Sequence, residues 1–528
     1  MNEVPNEHEP NQPPTRPGVR AGTKLLIRAL AAVEHAGNRL PDPVTLFVLS
    51  AVVVVFASAV CSALRVQVVH PGNGTVIAAE NLLTAGNARR MFTGAVENFV
   101  LFPPLGLVLV TMLGIGVAER SGLVTTALKQ LVRVVPPSAL TMTLVFAGVM
   151  SSLAADAGYV VLTPLGAVLF AGVGRHPLAG MAAAFAGVSG GFSANLLLTS
   201  LDPLLSGLST AAAQILDPAY VVQPTANYYF MVVSTVFVTA AGTWVTSRLV
   251  EPHLGPWRAR QDLATEPDTL GDVAPHERRG LLAAALAGAA FVGLAAALTW
   301  PADGIFRDAE QGLVPFYRSL IPLLMLFFLV MGLAYGMAAG TIRSDCDVVH
   351  MMSEAMATMG PYIVLAFAAA QFVAYFAWSN LGLIVAVAGA DALKALGLAG
   401  IPLLIAFILV SGCVNLVVGS ASAKWAIMGP VFVPMLMLMG YSPELIQAAY
   451  RVGDSATNII TPLLPYFPVM IAFARKYEPK AGIGTLISVM IPYSIVFALG
   501  WTCLLVAWVL LGLPLGPEAP LHYVPLLP

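Results

Sequence analysis

One stretch of the sequence, AAYRVGDSATNIITPLLPYFPVM (448–470), places charged and amide side chains inside a segment otherwise apolar enough for a membrane. Arg451 and Asp454 are three residues apart, so they share one face of a helix and are close enough to pair. An ionisable residue inside a membrane helix costs about 2.5–3.5 kcal/mol on insertion scales, so it must face protein, water or a ligand. Two interpretations stay open: a structural ion pair inside a helix bundle, or a site for a charged ligand.

The residues around Asp454 favour a cation site. Gly453 and the run SATN (455–458) have low helix propensity, and the prolines that follow remove backbone donors and leave carbonyl oxygens nearby. Such carbonyls, together with amide and hydroxyl oxygens beside a carboxylate, suit Na⁺. We therefore expect Asp454, Asn458 and Asn415 to bind a coupling ion.

Two polar tips, SSLAADAG (151–158) and VNLVVGSASAKW (414–425), interrupt other apolar regions. Asp156 in the first tip has no basic residue close in sequence, so it is a proton site, an ion ligand or a helix cap. In the second tip, Trp425 is either an interfacial anchor or a surface on which an aromatic ligand stacks. Lys424 either extends to the interface or neutralises an anionic substrate.

Three further residues contribute to the same expected site. Ser422 lies in the second tip, two residues before Lys424. Pro443 is expected to begin a helix and Pro462 to kink one. Both prolines would then shape the cavity in which a substrate binds.

The composition indicates a membrane protein with many spans. Of the 528 residues, 58% are hydrophobic and only 10% are charged, whereas soluble domains carry about 25% charged residues. The formal net charge of -2 gives no sign of a nucleic-acid partner. The sequence has no P-loop, no GxSxG motif and no metal-binding spacing of cysteines or histidines, so neither an enzyme nor an ATP-driven pump is expected, and no organic cofactor.

The apolar segments predict an all-α protein with nine transmembrane helices and two re-entrant hairpins. The hairpins are expected at 138–172 and 401–439, where each arm is too short to span comfortably. With the N-terminus in the cytoplasm, lysines and arginines concentrate on the inner side. The nine spans are expected at 44–64, 99–118, 178–200, 227–247, 281–299, 320–340, 358–378, 444–470 and 482–511.

The regions 138–200 and 401–470 have the same order of features: short arm, polar tip, short arm, proline and interrupted helix. Five predicted crossings separate the two hairpins, so the two copies would face opposite ways. Inverted repeats with broken helices near the bilayer midplane are typical of secondary transporters. The domain is expected to cover 24–515, between a disordered cytoplasmic tail (1–23) and a C-terminal tail (516–528).

Four long stretches resemble the AbgT family, the p-aminobenzoyl-glutamate transporters. They are SSLAADAGYVVLTPLGAVLF, HPLAGMAAAFAGVSGGFSANLLLT, SGCVNLVVGSASAKWAIMGPVFVPML and YSPELIQAAYRVGDSATNIITPLLPYFPVM. The resemblance implies a homodimer of the bacterial inner membrane that couples a cation to p-aminobenzoyl-glutamate, and it also implies sulfonamide export. The family's functional positions fall on Asp156, Asn415, Ser422, Trp425, Pro443, Arg451, Asp454 and Pro462.

We therefore expect a secondary transporter of an anionic aromatic substrate. Trp425 would face the aminobenzoyl ring, Arg451 and Lys424 would neutralise substrate carboxylates, and Asp156 would be a second ion or proton site. The alternative within the same superfamily is a sodium-dicarboxylate symporter, for which the aromatic contact of Trp425 is dispensable. A channel or a receptor is the alternative from another class, and a channel would not respond to opposing ion gradients. Na⁺ and H⁺ both stay open as the coupling ion.

Overall fold

The computed structural model describes residues 42–69, 74–133, 136–154, 158–257, 273–301, 303–308, 313–461, 464, 466–479 and 481–524. Within these ranges the chain is mostly helical, and its only sheet is a short antiparallel hairpin of β1 (Gln67–Val69) and β2 (Val76–Ala78). The predicted N-terminal tail (1–23), Asp156 and Pro462 lie outside the described residues.

The α-helices, numbered in chain order, have the following bounds. They are α1 (Pro43–Ala63), α2 (Ala85–Thr93), α3 (Ala95–Val100), α4 (Pro103–Arg120), α5 (Leu123–Arg133), α6 (Leu140–Met150), α7 (Thr163–Gly172), α8 (Pro177–Phe185), α9 (Leu201–Ala213), α10 (Tyr228–Val245), α11 (Glu251–Leu254), α12 (Pro275–Thr299), α13 (Val314–Arg318), α14 (Leu320–Ala339), α15 (Asp345–Thr358), α16 (Gly360–Trp378), α17 (Leu381–Ala395), α18 (Gly400–Val417), α19 (Ala421–Met437), α20 (Pro443–Asn458), α21 (Phe467–Tyr477) and α22 (Ile483–Leu510).

In the described part of the chain, eight helices are long and apolar enough to cross a membrane. They are α1, α4, α10 continued to Leu254, α12, α14, α16, α18 and α22. The expectation of an all-α membrane protein is therefore confirmed. The first arm of the second hairpin was expected to be too short to span, but α18 has 18 residues and the hydropathy of a spanning helix. Its apolar run continues until Asn415, close to its carboxyl end.

The two predicted interrupted helices are both broken in the structure. α8 continues as a π-helix (Ala186–Gly190), and residues 191–200 then leave helical structure before α9 begins. In the second copy, α20 ends at Asn458, and α21 begins only at Phe467. π-Helical turns within α-helices occur frequently at functional sites.

The arms of the first hairpin pack closely on the following broken helix. Gly166 of α7 and Gly180 of α8 face each other, and a methyl group on either would overlap the other's backbone. A large hydrophobic core extends from these helices to α20 and α22, while a smaller cluster joins α4, α12 and α14. The broken helices therefore belong to the large core, and α12 and α14 form a separate packing unit beside it.

The C-terminal stretch is not a tail. Residues 516–524 were expected to lie beyond the domain, but they dock on the turn that precedes α20. Ser442 donates from its backbone N–H to the Leu521 carbonyl at 3.1 Å and from its hydroxyl to the Pro520 carbonyl at 2.6 Å. Tyr523 donates from its N–H to the Gly440 carbonyl at 3.1 Å, so the chain end fixes the start of α20.

Candidate functional site

α20 carries most of the predicted site and is buried along nearly its whole length. Its start is well defined, since Ser442 caps Leu445 N–H at 3.1 Å and Pro443 occupies the first turn, as predicted. Further along, Gly453 lies against α18, where a methyl group would overlap the Ile408 carbonyl oxygen. This close approach places the polar residues of α20 directly against the end of the hairpin arm.

Asp454 forms an ion pair with Lys424, the basic residue in the first turn of α19. Lys424 Nζ contacts both Asp454 Oδ1 and Asn415 Oδ1. The side chains of Lys424 and Asp454 are 0% and 1% exposed, so the pair is shielded from solvent. Lys424 therefore neither extends to a membrane interface nor is available to a substrate in this conformation.

Asn415 joins the hairpin arm to the broken end of α20. Its side-chain Nδ2 shares its two hydrogens among the Asp454 carbonyl at 2.6 Å, Thr457 Oγ1 at 2.8 Å and Asn458 Oδ1 at 2.9 Å. Thr461, just beyond the break, donates to the Asn415 carbonyl at 3.0 Å. The three residues predicted to share a cation, Asp454, Asn415 and Asn458, are thus brought together.

Arg451 pairs with Asp202, at the start of α9, rather than with Asp454. The distance from Arg451 Nη2 to Asp202 Oδ1 is 2.6 Å, and the side chains are 2% and 0% exposed. The i, i+3 pair between Arg451 and Asp454, one of the two interpretations that the sequence left open, is therefore not the pairing in the structure. Each of the two residues points to a partner on another helix, because the packing offers a buried opposite charge on both sides of α20.

Asp202 was not among the predicted site residues. Its second carboxylate oxygen, Oδ2, accepts the Thr199 N–H at 2.7 Å and the Thr199 hydroxyl at 3.0 Å. In sequence, an aspartate that begins a helix after a polar break resembles an ordinary cap. The signal that identifies it is position: Asp202 directly follows the break of the first copy, and Arg451 precedes the break of the second.

Trp425 is fully buried, with its ring stacked on Tyr450 at a centroid distance of 4.5 Å. Its Nε1 donates to Ser209 Oγ at 2.9 Å, and Ser209 donates in turn to Gln447 Oε1 at 2.6 Å. Gln447 then donates to Asn227 Oδ1 at 2.9 Å. Burial argues against an interfacial anchor, and Tyr450 occupies the face on which a substrate ring was expected.

Of the remaining predicted residues, Ser422 lies at the hairpin tip, and Asp156 and Pro462 lie outside the described residues. Ser422 is half-buried at the tip, where its hydroxyl lies 3.2 Å from that of Ser420. Ser420 also caps α19 through the N–H of Ala423. Among the described residues there is no cluster of three His, Cys, Asp or Glu side chains that could hold a metal ion.

Buried charged residues where two broken helices meet, within a bundle of helices long and apolar enough to cross a membrane, are the arrangement found at the binding sites of membrane transporters. The chain belongs to the AbgT putative transporter family, whose model matches residues 28–523.

Known relatives support the same assignment over nearly the whole chain. The p-aminobenzoyl-glutamate transport protein of Escherichia coli (strain K12) is 38% identical over 488 residues, which is 92% of this chain and 95% of the relative. The Alcanivorax borkumensis YdaH transporter, whose crystal structure is described as revealing an unusual topology, has 47% sequence identity to this chain. The two structures superpose with a TM-score of 0.86, over 90% of this chain and 100% of the YdaH chain. Neisseria gonorrhoeae MtrF, described within a class of antimetabolite efflux pumps, is 47% identical with a TM-score of 0.89, covering 93% and 100%.

Proposed function

We propose that this protein is a cation-coupled secondary transporter of p-aminobenzoyl-glutamate and related folate-derived or sulfonamide compounds across the bacterial inner membrane. The observation that carries the proposal is the buried cluster of Asp454, Asn415 and Asn458 at the break of α20. A carboxylate and two amides at a helix break supply the oxygen ligands that a coupling Na⁺ needs. The E. coli relative named for p-aminobenzoyl-glutamate transport suggests the cargo.

The charges of the site also suit this cargo. p-Aminobenzoyl-glutamate carries an aromatic ring and two carboxylates, and the site holds two buried basic residues, Arg451 and Lys424. Trp425 and Tyr450 lie beside Lys424 and form an aromatic pair that a substrate ring would enter by displacing one of the two rings. We propose a homodimer with its N-terminus in the cytoplasm as the working form, and Asp156 as a second ion or proton site.

Uptake of labelled p-aminobenzoyl-glutamate into proteoliposomes tests the proposal, with Na⁺ and H⁺ gradients imposed separately. We expect gradient-dependent accumulation that is lost in Asp454→Asn and kept in Asp391→Asn, which removes an exposed carboxylate of α17. Full cation-dependent uptake by Asp454→Asn would contradict the proposed coupling site.

The same vesicles distinguish the dicarboxylate alternative. A sodium-dicarboxylate symporter would accumulate labelled succinate and would keep that activity in Trp425→Ala. A p-aminobenzoyl-glutamate transporter would ignore succinate and would lose substrate affinity in Trp425→Ala. Flux that is insensitive to opposing ion gradients would instead indicate a channel.

A further inference from the structure

The ammonium group of Lys424 lies where the proposed site would bind Na⁺. Lys424 Nζ contacts a carboxylate oxygen of Asp454 and the amide oxygen of Asn415, which are two of the three oxygen donors expected to bind Na⁺. An ammonium and an alkali cation are both compact monovalent cations that oxygen atoms coordinate. The two cannot share these oxygens, so one must leave when the other binds.

The charges of the site make displacement of Lys424 from Asp454 unfavourable when Na⁺ or the anionic substrate binds alone. Lys424 and Asp454 together are neutral, and the neighbouring Arg451 is already paired with Asp202. Tyr450, whose hydroxyl lies 3.4 Å from Asp454 Oδ1, adds no charge of its own. A cation that enters without an anion would leave the Lys424 ammonium buried without a counter-charge, which is strongly unfavourable.

An anion that enters alone meets the same obstacle. Lys424 and Arg451, the two basic side chains of the site, are both held by internal carboxylates, so neither offers a substrate carboxylate an unpaired positive charge. If Na⁺ replaces Lys424 at Asp454, the released ammonium needs a carboxylate and the substrate supplies one. The long and flexible lysine stem permits this movement towards the half-buried tip that contains Ser422.

We propose that Lys424 is the residue that couples the two ligands: its ammonium group stands in for the cation at Asp454 and Asn415, and Na⁺ displaces it onto a substrate carboxylate. The inference rests on the proposed cation site and adds the reason why cation and anion bind together. Each ligand raises the affinity for the other, and by thermodynamic linkage the two factors are equal.

Na⁺ binding to purified protein in nanodiscs tests this role without any transport assay. Isothermal titration at fixed pH and ionic strength, with choline replacing Na⁺, measures the affinity of wild type and of Lys424→Met in the absence of substrate. Methionine keeps most of the stem volume and removes the charge, so Asp454 is left to Na⁺ alone. We expect Lys424→Met to bind Na⁺ on the order of 100-fold more tightly than wild type, because no buried charge has to be displaced.

Two matched variants control for general effects. Lys394→Met removes an exposed lysine and should leave Na⁺ affinity unchanged. Lys424→Met/Asp454→Asn restores neutrality and should lose Na⁺ binding. Equal or weaker Na⁺ affinity in Lys424→Met than in wild type would overturn the inference.

The wild-type protein supplies a second, independent measurement that requires no folded variant. Added p-aminobenzoyl-glutamate should raise its Na⁺ affinity, and Na⁺ should raise its affinity for p-aminobenzoyl-glutamate by the same factor. The inference would be overturned if wild type bound Na⁺ tightly without substrate and if added substrate left that Na⁺ affinity unchanged. Failure of the proposed cargo has a different signature: Lys424→Met still gains Na⁺ affinity, but neither protein responds to p-aminobenzoyl-glutamate.

Discussion

The ion pair between Arg451 and Asp202 joins the two broken-helix copies, and its removal tests whether it holds them together. In Asp202→Asn, the Arg451 guanidinium stays buried without a counter-charge. Breaking a buried pair by removing one partner costs about 3–5 kcal/mol. Asparagine keeps one of the two carboxylate oxygens, and with that oxygen towards Thr199 the two hydrogen bonds from Thr199 remain. We therefore expect Asp202→Asn to lower the free energy of unfolding by about 3–5 kcal/mol.

The measurement is a denaturant titration in mild detergent, followed by tryptophan fluorescence. Glu354→Gln is the matched control, since it breaks the Arg120–Glu354 pair at 3.0 Å, whose side chains are 38% and 42% exposed. An exposed pair of this kind contributes about 0–1 kcal/mol. A loss in Asp202→Asn no larger than in Glu354→Gln would refute the reasoning.

A double variant separates the pair from the packing around it. Replacing both partners of a buried pair by apolar residues is often nearly neutral, because no unpaired charge is left behind. Asp202→Leu/Arg451→Leu should therefore be markedly more stable than the sum of the two single changes predicts. Simple additivity of the single losses would show that the two side chains act independently.

Three further predictions follow from the surroundings of α20. Ser209→Ala leaves the buried Trp425 Nε1–H without its acceptor, so a loss of about 1–3 kcal/mol in unfolding free energy is expected, whereas Ser422→Ala at the half-buried tip should cost less. Gly453→Ala would place a methyl group against the Ile408 carbonyl oxygen, so we expect a destabilisation of at least about 1–3 kcal/mol. A variant with the thermal stability of wild type would contradict the close packing of α18 on α20. Ser442→Ala removes a helix cap and a bond to the C-terminal stretch, so about 1 kcal/mol should be lost and limited proteolysis should reach residues 516–524 faster.

The sequence was informative about local features of the site. Prolines, glycines and polar tips predicted where helices break, because each acts on its own stretch of backbone. An interruption in this segment and the start of α20 at Pro443 were predicted in this way, whereas Gly453 and residues 455–458, whose helix propensity is low, stay helical. Asp454, Asn415 and Asn458 also lie together, as expected of a carboxylate and amides near a break, while their role as a cation site stays a prediction.

Partners across the bundle were not predictable in the same way. Arg451 and Asp454 satisfy the i, i+3 rule, but that rule describes an isolated helix whose side chains have only each other. In the bundle, Arg451 contacts Asp202, which lies 249 positions away in the chain, and Asp454 contacts Lys424 on a different helix. The partners of Trp425 could not be predicted for the same reason, because only the packing of α9 and α20 brings Ser209 and Tyr450 to its ring.

The two buried ion pairs have separable roles, and their positions in the fold show why. The Arg451–Asp202 pair connects α20 with α9, so it joins the break of one copy to the break of the other. The Lys424–Asp454 pair lies within the second copy, between its hairpin tip and its broken helix. Loss of the first pair should change stability and the balance between conformations, with little effect on intrinsic Na⁺ affinity. Loss of the Lys424 charge should change Na⁺ affinity and its dependence on substrate, because the cation and the lysine compete for the same oxygen atoms.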